Sequence, residues 1–208
     1  MKKPVFVALV ALASVAWGQS KTADPSVFGV RLGDALSIQE CNRPKINKNF
    51  MYQGSNTSIC YKRRIMIWEQ EKFSTPITTE MIDLVFPTCF VGKECNRPSI
   101  LDGSEITAQI IDGKLEWIAI PTQGLRNQEE VLATLKEKYG EPAGSMPITA
   151  QNGFGATFSA TIATWKFENL DVFFSGIYGR ADSGVIEIGT KAGTKFRTAM
   201  LQPKGPKL

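Results

Sequence analysis

Polar and apolar residues alternate through Glu105-Ile-Thr-Ala-Gln-Ile-Ile111 and again through Lys114-Leu-Glu-Trp-Ile-Ala-Ile120, with Asp112-Gly113 between them. A period of two marks a half-buried strand, and Asp-Gly is the strongest short signal for a type I′ hairpin turn. Such a turn sets the register. It predicts that Ile110 faces Leu115, Ala108 faces Trp117 and Ile106 faces Ala119, forming one apolar side. Ile111 with Lys114, Gln109 with Glu116 and Thr107 with Ile118 form the other side, so Glu116 is expected on the outer face.

The period changes after Pro121-Thr-Gln-Gly124. Val131, Leu132, Leu135 and Tyr139 recur at three- and four-residue spacing, the stripe of an amphipathic helix. Asn127 is the expected N-cap, with Glu130 completing a capping box. Glu129 and Glu130 favour the positive end of the helix dipole, and Lys136 and Lys138 the negative end. Gly140 and then Pro142 end the helix. A helix this short is unstable alone, so its stripe must pack on a neighbour. The hairpin's apolar side, Trp117 included, is the nearest surface.

Other runs are β-rich. Phe28, Val30 and Leu32 alternate in a short strand over 26–34, and residues 35–40 after Asp34 read as a short helix. Residues 59–68 and 81–86 read as strands, as do 161–168, 171–175 and 185–188. Trp165 and Phe167 are expected to face Phe174 and Val172 across a turn near Asn169-Leu170. Residues 141–155 are rich in Gly, Pro and Asn and read as a connection. Strands flank the one strong helix in sequence with no βα alternation. The expected class is therefore α+β: antiparallel sheet with one long and one short helix packed on one face. A tandem of two helix-plus-sheet units, with halves 19–103 and 104–200, is the alternative.

Met1-Lys-Lys3 followed by an apolar run from Val5 to Trp17 is the pattern of a secretory signal peptide. Ala16 and Gly18 supply small residues for cleavage after Gly18, with cleavage after Ser20 as second choice. The run is shorter than the roughly 20 residues a spanning helix needs, and no other stretch approaches that length. The expected organisation is a leader at 1–18, one domain at 19–200 and a basic tail at 201–208. The chain has 24 basic and 20 acidic residues; without Lys2 and Lys3 the balance is 22 to 20. That is too even to argue for nucleic acid or an anionic membrane.

Cys41, Cys60, Cys89 and Cys95 are separated by 18, 28 and 5 residues, which matches no zinc spacing. In an exported chain they read as two disulfides. Three pairings exist, and Cys41–Cys60 with Cys89–Cys95 is preferred because each closes a short loop, contributing about 2–3 kcal/mol. The segment Glu40-Cys-Asn-Arg-Pro-Lys-Ile46 recurs as Glu94-Cys-Asn-Arg-Pro-Ser-Ile100 with six of seven positions identical. Arg43 and Arg97 are thereby candidate anion or partner contacts. The plainer reading is two turns leaving a disulfide, since Asn favours turns and a residue before Pro favours extended backbone.

Gly29-Val-Arg-Leu-Gly33 before the expected short helix, and Leu135-Lys-Glu-Lys-Tyr-Gly-Glu-Pro142 at the end of the long one, resemble motifs of uncharacterised exported proteobacterial proteins. The arrangement also resembles the helix-on-sheet folds of β-lactamase-inhibitor proteins and small outer-membrane-assembly lipoproteins. That resemblance implies protein–protein binding without catalysis. The chain departs from the lipoprotein group in having no lipid-attachment Cys after the leader. The resemblance carries no binding residue across.

The sequence contains no histidine. This excludes Ser–His and Cys–His nucleophile pairs and HExxH zinc sites. Two enzymatic schemes survive: a Ser–Lys pair, and a carboxylate pair for glycoside hydrolysis drawn from Glu116, Glu168, Asp171 and Glu187. The leading expectation is a secreted or periplasmic non-enzymatic binding or inhibitory protein, with no cofactor and an unidentified protein partner in the cell envelope. A secreted hydrolase is the alternative. Trp68, Tyr61 and Tyr178 are candidate contacts if exposed, because Trp, Tyr and Arg dominate interface energetics.

Overall fold

A computed structural model describes residues 22–41, 58–64, 79–86, 98–103, 105–151 and 155–201. Two short strands, β1 (Ser26–Val27) and β2 (Val30–Arg31), form a separate hairpin. Eight strands make one antiparallel sheet: β3 (Cys60–Arg63), β4 (Thr79–Val85), β5 (Glu105–Ile111), β6 (Lys114–Thr122), β7 (Gly144–Gln151), β8 (Thr157–Lys166), β9 (Leu170–Ser175) and β10 (Gly184–Thr190). Their spatial order is β3-β4-β5-β6-β10-β9-β8-β7. Helix α1 (Gln128–Tyr139) follows β6, and α2 (Lys191–Leu201) follows β10. The class is α+β, as the pattern predicts. Each run of four strands in the sheet is followed by a helix, and the two runs meet where β6 pairs with β10.

The β5–β6 turn forms at Asp112-Gly113, both residues at positive φ. Ile111 pairs with Lys114 and Ile110 with Leu115, as expected. Beyond that point the expected register fails. Gln109 pairs with Trp117 and Ala108 with Ile118, leaving Glu116 as the extra residue of a β-bulge. A bulge exchanges the faces of everything beyond it. Ile106, Ala108, Ile118 and Ile120 are consequently buried together in the main core, while Trp117 is buried outside that cluster. Trp117 and Leu135 do not share a core.

α1 presents Val131, Leu135 and Tyr139 to the core, with Leu132 packed beside them. Trp165 Nε1 donates to Gly140 O at 2.8 Å, and the Tyr139 and Phe167 rings lie 6.1 Å apart. The expected capping box is not made. Asn127 holds the cap position, but its Nδ2 donates to Ile100 O at 3.2 Å, and Glu130 accepts from Ser99 Oγ. Both side chains are drawn to segment 98–103 because that segment lies against the helix start.

Four further expectations are corrected. Residues 35–40 are extended, not helical, with bridges from Ala35 to Lys114 and from Glu40 to Tyr61; six residues do not repay helix nucleation when strand edges offer partners. The strand over 26–34 folds back at Phe28-Gly29 into β1 and β2. Residues 141–155 contain β7, a strand despite its composition because β8 supplies a complete ladder. Trp165 pairs with Val172 and Ala163 with Phe174, a register two residues from that expected. A shift of two preserves the faces, so Trp165, Val172 and Phe174 are still buried on one side.

The second helix is α2, in the basic C-terminal stretch. Gly189, which α2 overlies, pairs with Trp117, whereas Ile188 and Ile118 alternate into the core beneath α1. Successive residues of a strand point to opposite faces. The two helices therefore cover opposite faces of the sheet rather than one.

Candidate functional site at the loop end around Tyr178

At the end of the sheet where β6 leaves and β10 begins, three short segments converge: 98–103, 123–126 and 176–183. The last is held tightly. Tyr178 N–H donates to Ser183 O at 2.7 Å, and Ser183 N–H to Arg180 O at 3.2 Å. Leu125 N–H donates to Ala181 O at 2.9 Å and ties this turn to segment 123–126. Gly124 is buried there at φ +62, and a Cβ on it would collide with the Ala181 carbonyl. Glycine is required for both the conformation and the approach.

The turn carries Tyr178 outward, 56% exposed. Beside it, Arg180 Nε donates to Asp182 Oδ1 at 2.8 Å, and a second guanidinium nitrogen binds the other carboxylate oxygen. That hydrogen bonding holds the Asp182 carboxyl below its ordinary range, with Arg126 adding to the effect, and raises the Arg180 guanidinium. Asp102, Gln123, Arg126, Arg180, Asp182 and Ser183 line a notch of about 450 Å³. The end therefore combines an exposed aromatic ring on a tightly held turn with two arginines and two acids.

The candidate acids lie elsewhere. Asp171 and Glu187 line one cavity of about 420 Å³ under α2, with Trp117 and Phe173 among its walls. Each is taken by a cation of the helix: Lys191 Nζ is 2.6 Å from Asp171, and an Arg197 nitrogen is 3.4 Å from Glu187. Arg197 also lies over the Trp117 ring, 4.8 Å from its centroid. Glu168 is exposed in the turn between β8 and β9. Glu116, expected on the outer face, is buried because the bulge directs it to α2, where Thr190 Oγ1 donates to its carboxylate. Every lysine among the described residues is at least partly exposed, whereas a Ser–Lys nucleophile uses a desolvated one. No three His, Cys, Asp or Glu side chains among the described residues group as metal ligands.

Cys41 and Cys60 are bridged, with Cα atoms 4.9 Å apart. Cys89, Cys95, Arg43, Arg97 and Trp68 lie outside the described residues. Tyr61 is partly buried against the core. Of the two candidate aromatic contacts among the described residues, Tyr178 is thus the one placed well out in solvent. Arg126 and Asp102 are not connected with it in the sequence, because each comes from a different, distant segment. Gly179 beside Tyr178 and the Arg180-Ala-Asp182 spacing were the available local signals. No helix among the described residues is long and apolar enough to cross a membrane.

Comparison with family models, curated proteins and solved structures gave no match to this chain. The resemblance carried by residues 29–33 and 135–142 therefore rests on those residues alone.

Proposed function

We propose that this is a non-enzymatic binding or inhibitory protein of the bacterial cell envelope that engages a protein partner through the loop end around Tyr178. The observation that carries the reading is the exposure of Tyr178 on a turn fixed by its own backbone hydrogen bonds and by the Gly124 contact. With the backbone already held, only the two side-chain torsions of the tyrosine remain to be ordered on binding, which is what makes aromatic anchors effective. Arg180 in the same turn, and Arg126 in the notch that Arg180 lines, suit a polar rim with charge specificity. The leader-like residues 1–18 support export, and the closed Cys41–Cys60 bridge fits an oxidising compartment.

The hydrolase reading draws on Asp171 and Glu187 sharing a cavity. It is the weaker one, since general acid–base work needs a carboxylate free to exchange a proton and each of these is engaged by a cation. Affinity capture from a periplasmic extract, comparing wild type with Tyr178→Ala, tests the proposal. A discrete partner should be retained by the wild type and bound about 30-fold more weakly by the variant, the loss expected at an interface anchor. A partner held equally by both would place the contact surface elsewhere.

A further inference from the structure

The two edges of the eight-stranded sheet are finished differently. The β3 edge is closed: Cys41 N–H donates to Tyr61 O at 2.8 Å and Tyr61 N–H to Gln39 O at 3.1 Å, so residues 39–41 run along it. The Cys41–Cys60 bridge pins that segment, and β3 itself carries Lys62 and Arg63. At the other edge, β7 pairs with β8 and with no further strand among the described residues. Its sequence, Gly144-Ser-Met-Pro-Ile-Thr-Ala-Gln151, has no charged residue. Exposed edge strands ordinarily carry charge against association.

The direction of the β7 backbone follows from its neighbour. Thr161 O accepts from Gly176 N–H at 2.9 Å, and Thr161 N–H donates to Gln128 Oε1 at 3.2 Å. Ser159 O accepts from Gln128 Nε2 at 3.4 Å. Both residues thus turn these backbone groups away from β7, and their partners across the ladder are Pro147 and Thr149. These are non-hydrogen-bonded pairs, so Pro147 and Thr149 aim their own backbone groups at the open edge, as Ser145 and Gln151 do by alternation. Pro147 therefore costs the β7–β8 ladder nothing and removes one donor from the edge. Thr149 and Gln151 keep theirs.

The side chains complete the surface. Met146, Ile148 and Ala150 share one face of β7 and pair with Ile162, Ala160 and Phe158 of β8. This apolar row ends at the edge, with Met146 58% exposed.

We propose that β7 is a self-association edge and that its occupant is β7 of a second copy, paired antiparallel about Thr149. In this register the two Thr149 residues exchange N–H···O bonds, and Gln151 N–H of each copy donates to Pro147 O of the other. Ile148 of one copy lies opposite Ala150 of the other, so the two apolar rows become one. The absence of charge lets identical strands meet without the like-charge opposition that disfavours pairing. A two-fold arrangement of this kind is self-complementary and closed, and the sheet runs unbroken through both copies.

Sedimentation across a dilution series of the purified protein, with residue-resolved amide exchange, tests this. The mass should rise from monomer towards dimer with concentration. The Ile148 and Ala150 amides, which face β8, should be protected throughout, while those of Thr149 and Gln151 should gain protection only as the dimer forms. Thr149→Pro removes an outward donor without touching the β8 ladder and should weaken association roughly tenfold or more. Thr149→Lys leaves the backbone intact, sets two like charges opposite each other and should weaken it comparably. A monomer mass at every concentration overturns the proposal. So does a dimer whose dissociation constant is unchanged in both variants.

Discussion

α1 and α2 are of similar length, twelve and eleven residues, and each follows a run of four strands, yet they are held by different means. α1 buries three large side chains, Val131, Leu135 and Tyr139, in the main core. The one residue of α2 that is fully buried is Gly193. It sits where a Cβ would overlap the Glu116 carbonyl, so the helix backbone lies directly against the bulge of β6. Polar contacts surround that approach. Thr190 Oγ1 accepts from Gly193 N–H, capping the helix, and donates to the Glu116 carboxylate. Lys191 and Arg197 reach Asp171 and Glu187. One helix is held by apolar area, the other by a close backbone approach with polar pairs around it.

Truncation of the apolar helix should have the larger effect. Leu135→Ala is expected to destabilise by about 2–5 kcal/mol, the usual cost of a cavity at a buried leucine. Urea unfolding measures it, and a variant within error of wild type would mean that α1 is not seated on the core.

Gly193→Ala should cost less, about 1–3 kcal/mol, because α2 can lift from the bulge to relieve the overlap. The lifted helix uncovers Trp117, so the variant should also show increased quenching of tryptophan fluorescence by a soluble quencher. Unchanged stability and quenching together would break the contrast between the two helices.

Tyr139→Phe should have the smallest effect. The Tyr139 hydroxyl is buried with no hydrogen-bond partner among the described residues, so at about pH 7 the variant should lie within about 0.5 kcal/mol of wild type or be slightly more stable. Burial raises the Tyr139 phenol well above its ordinary value, with the charge of Asp24 adding to the effect. Because the folded pKa is raised, the associated stability is complete below the unfolded phenol's value of about 10. It is lost as pH rises through that value towards the folded one. Phenylalanine does not titrate, so the stability difference should move in the variant's favour between about pH 7 and about pH 11. Paired urea midpoints at the two pH values check this, and a difference that stays the same at both would mean the hydroxyl is solvated.

Legibility in the sequence follows the range of the interactions. The Asp112-Gly113 turn and the α1 stripe were readable because each depends on residues a few positions apart. The Cys41–Cys60 bridge was readable as a preference for short loops. α2 was not. Gly193 and two threonines lower its helix propensity, Lys191 stands at the positive end of the helix dipole, and what favours the helix is a surface on β6 supplied from far earlier in the chain. Tyr178 could be named as a candidate contact, but its exposure depends on Ala181 meeting Leu125 and Gly124.

Glu116 shows most clearly where the division falls. The alternation around it set two faces and the turn set a starting register, and both hold as far as Leu115. One additional residue in β6 then moves Trp117 to the opposite face and turns Glu116 from an outer-face acid into the acceptor for Thr190. The sequence by itself determined the turns, the periods and the strong helix, because short-range sterics and apolar spacing act within a few residues. The bulge, the faces beyond it, the seating of α2 and the pairing of β7 with β8 were decided by the tertiary structure, because each depends on which distant backbone supplies the missing hydrogen-bond partner.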